Sequence, residues 1–153
     1  MTVPALAAAK RLAERSGWSL SNLELQKLLY LAHMFHLGQF KTPLTQGQFE
    51  AWDYGPVHPE LYHRVKIFGS SPVSNVFHLV EDLPDGTEAK LLDDAVDQLS
   101  HNRPGKLVAI THWEKGAWAK HYTPGARGVV ISNEDILEEY RERERASRAK
   151  QTA

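Results

Sequence analysis

The segment Leu25–Leu37 reads LQKLLYLAHMFHL. Its apolar residues, Leu25, Leu28, Leu29, Tyr30, Leu31, Ala32, Met34, Phe35 and Leu37, fall on nearly every face of a helix. A helix that is apolar all round has to be surrounded by protein, so this stretch predicts a buried central helix. Ahead of it, Ser21 and Glu24 have capping-box spacing, in which each side chain satisfies a backbone N–H of the other. Leu20 and Leu25 flank that cap as a hydrophobic staple. Gly38 is placed to close the helix in a left-handed conformation.

Upstream, Pro4 to Arg15 reads as an Ala-rich first helix with Pro near its first turn and Gly17 past its end. Downstream, Gln48 to Tyr54 is a candidate short strand that Gly55-Pro56 breaks. His58-Pro59-Glu60 then starts a helix, with Pro at its first position and a carboxylate in its first turn. Leu61, Val65 and Phe68 share one face of it, and Gly69 ends it. Pro72 to Val80 reads as an extended stretch, Asp85-Gly86 as a turn, and Thr87 to Ser100 as an amphipathic helix. Short helices are expected around Leu107–Thr111 and Ala117–Tyr122. Val129-Val130-Ile131 reads as a strand able to pair with Phe49–Trp52. Ser132 and Asp135 form a second cap, Ile131 and Ile136 a second staple, and a last helix carries Ile136, Leu137 and Tyr140. RERERASRAKQTA after Tyr140 has no apolar face and is expected to fray.

The expected fold is therefore α+β, mainly α: a compact helical domain around a buried central helix, with two or three short strands. Residues 1–145 read as a single domain and 146–153 as a flexible charged tail.

Composition narrows the function. The chain has 153 residues and no cysteine, which excludes disulfide scaffolds and thiolate metal sites and fits a reducing compartment. No segment approaches the roughly 20 apolar residues that span a bilayer, and the N-terminus lacks the apolar run of a signal peptide, so a cytoplasmic location is expected. With 18 basic and 19 acidic residues, net charge is -1, and no global field collects polyanions. The basic residues at Lys10, Arg11 and Arg15 are too few for strong phosphate binding. Those of Arg141–Lys150 alternate with glutamates, as on a solvated helix face. Membrane and nucleic-acid partners are both disfavoured.

Catalytic motifs are weak. Of eight histidines, His33 and His36 lie on the apolar helix and read as half-buried rings with hydrogen-bond partners. No His-Glu-x-x-His and no three-ligand spacing occurs. Asp53 lies near His58 in sequence and offers an acid–base pair, but no nucleophile elbow accompanies it. Asp53 reads more simply as a turn residue ahead of Gly55-Pro56. A His-dependent hydrolase using His58 or His112 stands as the less favoured alternative, and a non-enzymatic protein without cofactor or metal is expected.

What remains is aromatic. Trp52-Asp53-Tyr54-Gly55-Pro56-Val57-His58-Pro59 is a stiff corner with two large rings, and His112–Tyr122, THWEKGAWAKHY, is a second cluster. Rigid aromatics make docking surfaces because little entropy is lost on binding; equally, they make corners that pack on a central helix. Both readings stay open for both segments.

LQKLLYLAHMFHL followed by FEAWDYGPVHPELYHRVKIFG (Phe49–Gly69), AITHWEKGAW (Ala109–Trp118) and VVISNEDILEEY (Val129–Tyr140) resembles the Panacea antitoxin domain, the family of SocA-like and GepA-like phage-associated proteins. The four blocks occur in the family's order from about Leu23 to Tyr140. The stretch Asn102–Lys106 departs from the longer polar helix common in members. The resemblance implies an antitoxin of a bacterial toxin–antitoxin system that neutralises a cognate toxin, encoded next to it, by direct protein–protein binding. It also implies, for some members, a proteolytic adaptor role toward an ATP-dependent protease. A phage-associated regulator of another host protein is the alternative. Trp52, Asp53, Tyr54, His58, His112, Trp113 and Trp118 are the expected toxin contacts, and Leu28, Leu29, Tyr30, Gly55, Pro56, Val57, Leu61 and Tyr62 the structural motif.

Overall fold

The computed structural model describes residues 2–101 and 104–152, so Asn102 and Arg103 of the departing stretch lie outside it. Among the described residues there are seven α-helices: α1 (Ala5–Arg15), α2 (Asn22–Phe40), α3 (Pro59–Val65), α4 (Thr87–Leu99), α5 (Pro104–Thr111), α6 (Ala117–His121) and α7 (Asn133–Thr152). Three short strands, β1 (Phe49–Trp52), β2 (Gly55–Val57) and β3 (Val130–Ile131), form an antiparallel sheet in the order β2-β1-β3. The protein is α+β and mainly α.

The central helix is α2. Leu25, Leu28, Leu29, Tyr30 and Ala32 are wholly inaccessible, and α1, α4, α5, α7 and β2 pack around it. The capping box forms as its spacing demands: Ser21 Oγ accepts from Glu24 N, and Glu24 Oε1 accepts from Ser21 N. The staple residues Leu20 and Leu25 are both buried. The second cap forms too, with Asp135 N donating to Ser132 Oγ at 3.2 Å over the buried pair Ile131 and Ile136.

Gly38 does not end α2. The helix continues to Phe40, and Lys41 takes the left-handed closing position at φ 62°. Gly38 is instead a contact point, because Tyr140 of α7 lies directly on it. Pro72–Val80 forms no strand ladder; it makes one bridge, Pro72 to Ser21, and buries Val73 and Phe77. The charged segment after Tyr140 is helical to Thr152. Without an apolar face, its turns are bridged by ion pairs one turn apart, Arg141–Glu138, Arg145–Glu142 and Arg148–Glu144, which support exposed helix modestly.

Basic residues of α1 are consumed inside the fold. Arg11 makes a bidentate pair with Asp93 of α4, Arg15 one with Asp97, and Lys10 pairs with Asp82. α7 is anchored by a buried carboxylate: Glu139 accepts from Tyr30 Oη at 2.6 Å, from Ala117 N at 2.9 Å and from Arg143 Nε at 2.8 Å. One side chain thus joins α2, α6 and α7, and each of its hydrogen bonds is to a group that would otherwise be desolvated alone.

Candidate functional site

Gly55-Pro56 forms a strand rather than breaking one. β1 and β2 make a hairpin in register Trp52↔Gly55, Ala51↔Pro56 and Glu50↔Val57, with Asp53-Tyr54 at the tip. Asp53 and Tyr54 keep negative φ, and Gly55 absorbs the turn at φ 112°. That angle is in the region only glycine adopts at low cost. On the other edge β3 pairs as its sequence predicts, Phe49↔Ile131 and Glu50↔Val130.

Lys27 lies beneath the hairpin. It is fully inaccessible, and its ammonium donates to Pro56 O at 3.2 Å. Burial pushes its pKa down to about 7. A Cβ on Gly55 would come within 2.8 Å of Lys27 Nζ and 3.2 Å of Thr111 Oγ1. Glycine is thus required here by close approach as well as by φ. His58 leaves the hairpin clamped to α2, with Gln26 Oε1 accepting from His58 N at 2.7 Å and Gln26 Nε2 donating to His58 O at 3.3 Å. Its ring donates from Nε2 to Gln46 O at 2.9 Å.

The two aromatic segments are one unit. Trp118 Nε1 donates to Trp52 O at 2.7 Å, and Tyr122 Oη donates to Asp53 Oδ1 at 2.7 Å. Trp118 stacks on Tyr122, with centroids 4.4 Å apart, and meets His112 edge-on at 4.0 Å. Trp52 packs edge-to-face on Tyr62 at 4.7 Å, and the Arg127 guanidinium covers Trp52 at 4.2 Å. Trp113 lies under Arg143 at 4.8 Å. The hairpin tip is therefore tied on one side to α6 and its following residue, and on the other to α3.

The expected site residues divide by exposure. Asp53 and Tyr54 stand at the tip, Tyr54 with 72% of its surface exposed. His112 and Trp118 are half-buried beside it, and Trp113 is half-buried against Arg143 of α7. Trp52 and His58 are buried and support the others. Of the structural motif, Leu28, Leu29, Tyr30, Gly55, Pro56, Val57 and Leu61 are buried, and Tyr62 is half-buried.

Asp53 does not orient His58. It accepts from Tyr122 Oη and from Gly125 N, and these bonds, with the charge of Arg127, hold its carboxyl below the usual range. His112 is lowered by burial and by the charge of Lys27, against an opposing interaction of its ring N–H with the Asp53 backbone carbonyl as acceptor. His33 and His36 have the expected hydrogen-bonded rings but are fully buried rather than half-buried, because other elements surround α2: His33 bonds Asn133 and Thr45, His36 bonds Thr42 O. Among the described residues no group of three His, Cys, Asp or Glu is arranged to hold a metal, and no helix is long and apolar enough to cross a membrane.

Lys27 and Arg127 were missed by sequence reasoning. A cation inside LQKLLY was the available sign of Lys27. Nothing local distinguishes Arg127, whose role depends on a ring distant in sequence. Together with Lys66 they border a cleft of about 450 Å³ between the start of α2, the hairpin, α3 and the 125–127 loop.

Residues 25–119 match the model of the family described as antitoxin SocA-like, Panacea domain. A curated relative, the antitoxin SocA of Caulobacter vibrioides (strain NA1000 / CB15N), is 34% identical over 114 residues, 65% of this chain. The chain spans 58% of that relative's length. No solved structure matches it.

Proposed function

The chain belongs to the antitoxin SocA-like, Panacea domain family, and from that premise we propose that it is an antitoxin that neutralises a cognate toxin by binding it directly. The observation that carries the reading is the match across residues 25–119, which covers α2 from Leu25 on, the hairpin, α3, the first aromatic segment and the second as far as Ala119. The geometry is in keeping with it. A tip bearing Tyr54 at 72% exposure, braced by the Trp52–Trp118 and Asp53–Tyr122 hydrogen bonds, is a rigid aromatic anchor. Such anchors dominate binding because they bury large area at low entropic cost. Asp53, Tyr54, His112, Trp113 and Trp118 form the contact face in this reading, with Trp52 and His58 as its support.

A stoichiometric inhibitor has no turnover, so protection follows dose. The test is titrated co-expression with the adjacent gene's product, alongside pull-down of Tyr54→Ala and Trp113→Ala. Protection and binding should fall together. A variant that binds fully yet no longer protects would refute simple sequestration. Loss of the wild-type protein's protection in a protease-deficient host would then identify delivery to an ATP-dependent protease. A neighbouring product that is harmless when expressed alone would sink the antitoxin reading.

A further inference from the structure

The cleft beside the hairpin has walls and charges of different kinds. Trp52, Tyr62, Val57 and Leu23 make it apolar and aromatic, while Lys66 and Arg127 stand at its border. Its volume of about 450 Å³ is in the range of sites that take a small ligand or a large side chain. Several cations elsewhere, Lys10, Arg11, Arg15, Lys90 and Arg143, are paired with aspartates or glutamates. Neither the Lys66 nor the Arg127 side chain forms an ion pair or hydrogen bond among the described residues. Asp53, the acid at this border, is engaged by Tyr122 and Gly125.

Arg127 is also oriented. Its guanidinium lies 4.2 Å from the Trp52 ring centroid and 5.6 Å from that of Tyr62. A stacked guanidinium keeps its N–H edges for hydrogen bonding, and that planar fork matches a carboxylate in two parallel bonds. From below, the Lys27 stem lines the cleft, and its ammonium has a carbonyl rather than a carboxylate as partner. Lys27, Lys66 and Arg127 thus outnumber the one carboxylate among the lining residues, Asp53, which already feels the charge of Arg127.

We propose that this cleft receives an apolar or aromatic side chain of a protein partner with a carboxylate beside it, the ring resting on Trp52 and Tyr62 and the carboxylate pairing with Arg127 and Lys66. The partner's identity as a toxin rests on the antitoxin reading; the chemistry of the cleft does not.

The probes are N-acetyl-L-phenylalanine, its neutral amide and inorganic phosphate, titrated into the full chain and followed by NMR at the backbone N–H groups of Trp52, Tyr62 and Arg127. The acid should shift these signals at millimolar concentration and the amide bind about ten- to a hundredfold more weakly, as the loss of charge-assisted hydrogen bonds requires. Arg127→Ala with Lys66→Ala changes exposed side chains, so it should leave the fold intact and erase that preference. Equal binding of acid and amide, or no shift with either, overturns the proposal. Phosphate binding more tightly than the acid overturns it in favour of a phosphorylated ligand. Against the adjacent toxin, the double variant should bind about ten- to a hundredfold more weakly, and unchanged affinity would overturn the proposal there. A harmless neighbour removes the antitoxin reading while the acid–amide comparison still decides the cleft.

Discussion

Gly38, inside α2, is covered by the ring of Tyr140 from α7 so closely that a Cβ on it would fall within the ring. Helix propensity alone favours alanine over glycine at such a position by about 1 kcal/mol. Overpacking opposes it, at a typical cost of about 1–3 kcal/mol, and here the obstacle is a half-buried phenol ring on the face that docks α7. Gly38→Ala should therefore destabilise the protein by up to about 2 kcal/mol net. In a Tyr140→Ala background the same change should become neutral or stabilising. Urea unfolding of the four proteins measures this, and a wild-type background stabilised by Gly38→Ala would show that the ring does not press there.

Gly55 is constrained twice, by φ 112° and by Lys27 Nζ and Thr111 Oγ1. Valine adds a β-branched side chain where φ is forbidden and the space is taken. Strain of this kind costs about 1–3 kcal/mol before any clash. Gly55→Val should lower the thermal midpoint markedly and lose Trp118–Trp52 contact, visible in near-ultraviolet circular dichroism. An unchanged midpoint would refute the constraint.

These two glycines illustrate what was legible in the sequence. Caps and staples are local devices, and both forecast pairs, Ser21/Glu24 and Ser132/Asp135, formed where their spacing placed them. The pairing of Phe49 with the strand at Val130–Ile131 followed from β pattern alone. Gly38 misled because a glycine near a helix end signals either closure or close approach, and Tyr140, far along the chain, decides between them. The site was legible only in pieces. Trp52 and Trp118 each looked ambiguous, since the hydrogen bond that unites them is long-range. The cleft, built from four separate segments, had no local signature at all.

Lys27 should cost the fold stability. Its pKa is near 7 in the native protein against an ordinary 10.5, so between those values the unfolded chain binds more protons. Stability therefore rises with pH across that window, by at most about 1.4 kcal/mol per unit. Above about pH 10 the titration of Tyr30, held neutral by burial and by Glu139, opposes the trend. Lys27→Met keeps the stem's volume and removes the buried ammonium. It should raise stability at pH 7 and flatten the rise between pH 7 and 10 in urea unfolding. A destabilised variant with the slope intact would place the cause elsewhere.

His33 gives the acid limb. Thr45 N–H points at its Nδ1 at 3.3 Å, so the ring proton sits on Nε2 and donates to Asn133 Oδ1 at 2.9 Å. A proton added to Nδ1 would meet an N–H donor in a buried site. Burial is the first cause that brings its pKa down to about 4 from 6.5, with the neighbouring rings of His58 and His36 lowering it further. The neutral ring's contribution is complete above pH 6.5 and is lost as pH falls toward 4. It amounts to about 3 kcal/mol at most. NMR titration should find the His33 ring unprotonated at pH 5.5. A midpoint near 6.5 would contradict the hydrogen-bond assignment.

The end of α7 separates folding from partner binding. Up to Arg143 the helix is held by the Glu139 network and by Arg143 donating to Ile110 O at 2.6 Å. Beyond Arg145 the side chains of residues 146–150 are exposed, and exposed ion pairs of the Arg148–Glu144 kind contribute about 0–1 kcal/mol. Truncation after Arg145 should change unfolding free energy by less than about 1 kcal/mol, and a larger loss would show that the last turns belong to the core. The truncated protein should also bind the adjacent toxin as tightly as the full chain, because the proposed contact face lies at the hairpin tip and at His112–Trp118, not beyond Arg145. If binding holds while protection in cells fails, residues 146–153 act as a handle for a further partner. A protease-deficient host is then the deciding control: restored equivalence of the two forms there would assign that handle to proteolysis.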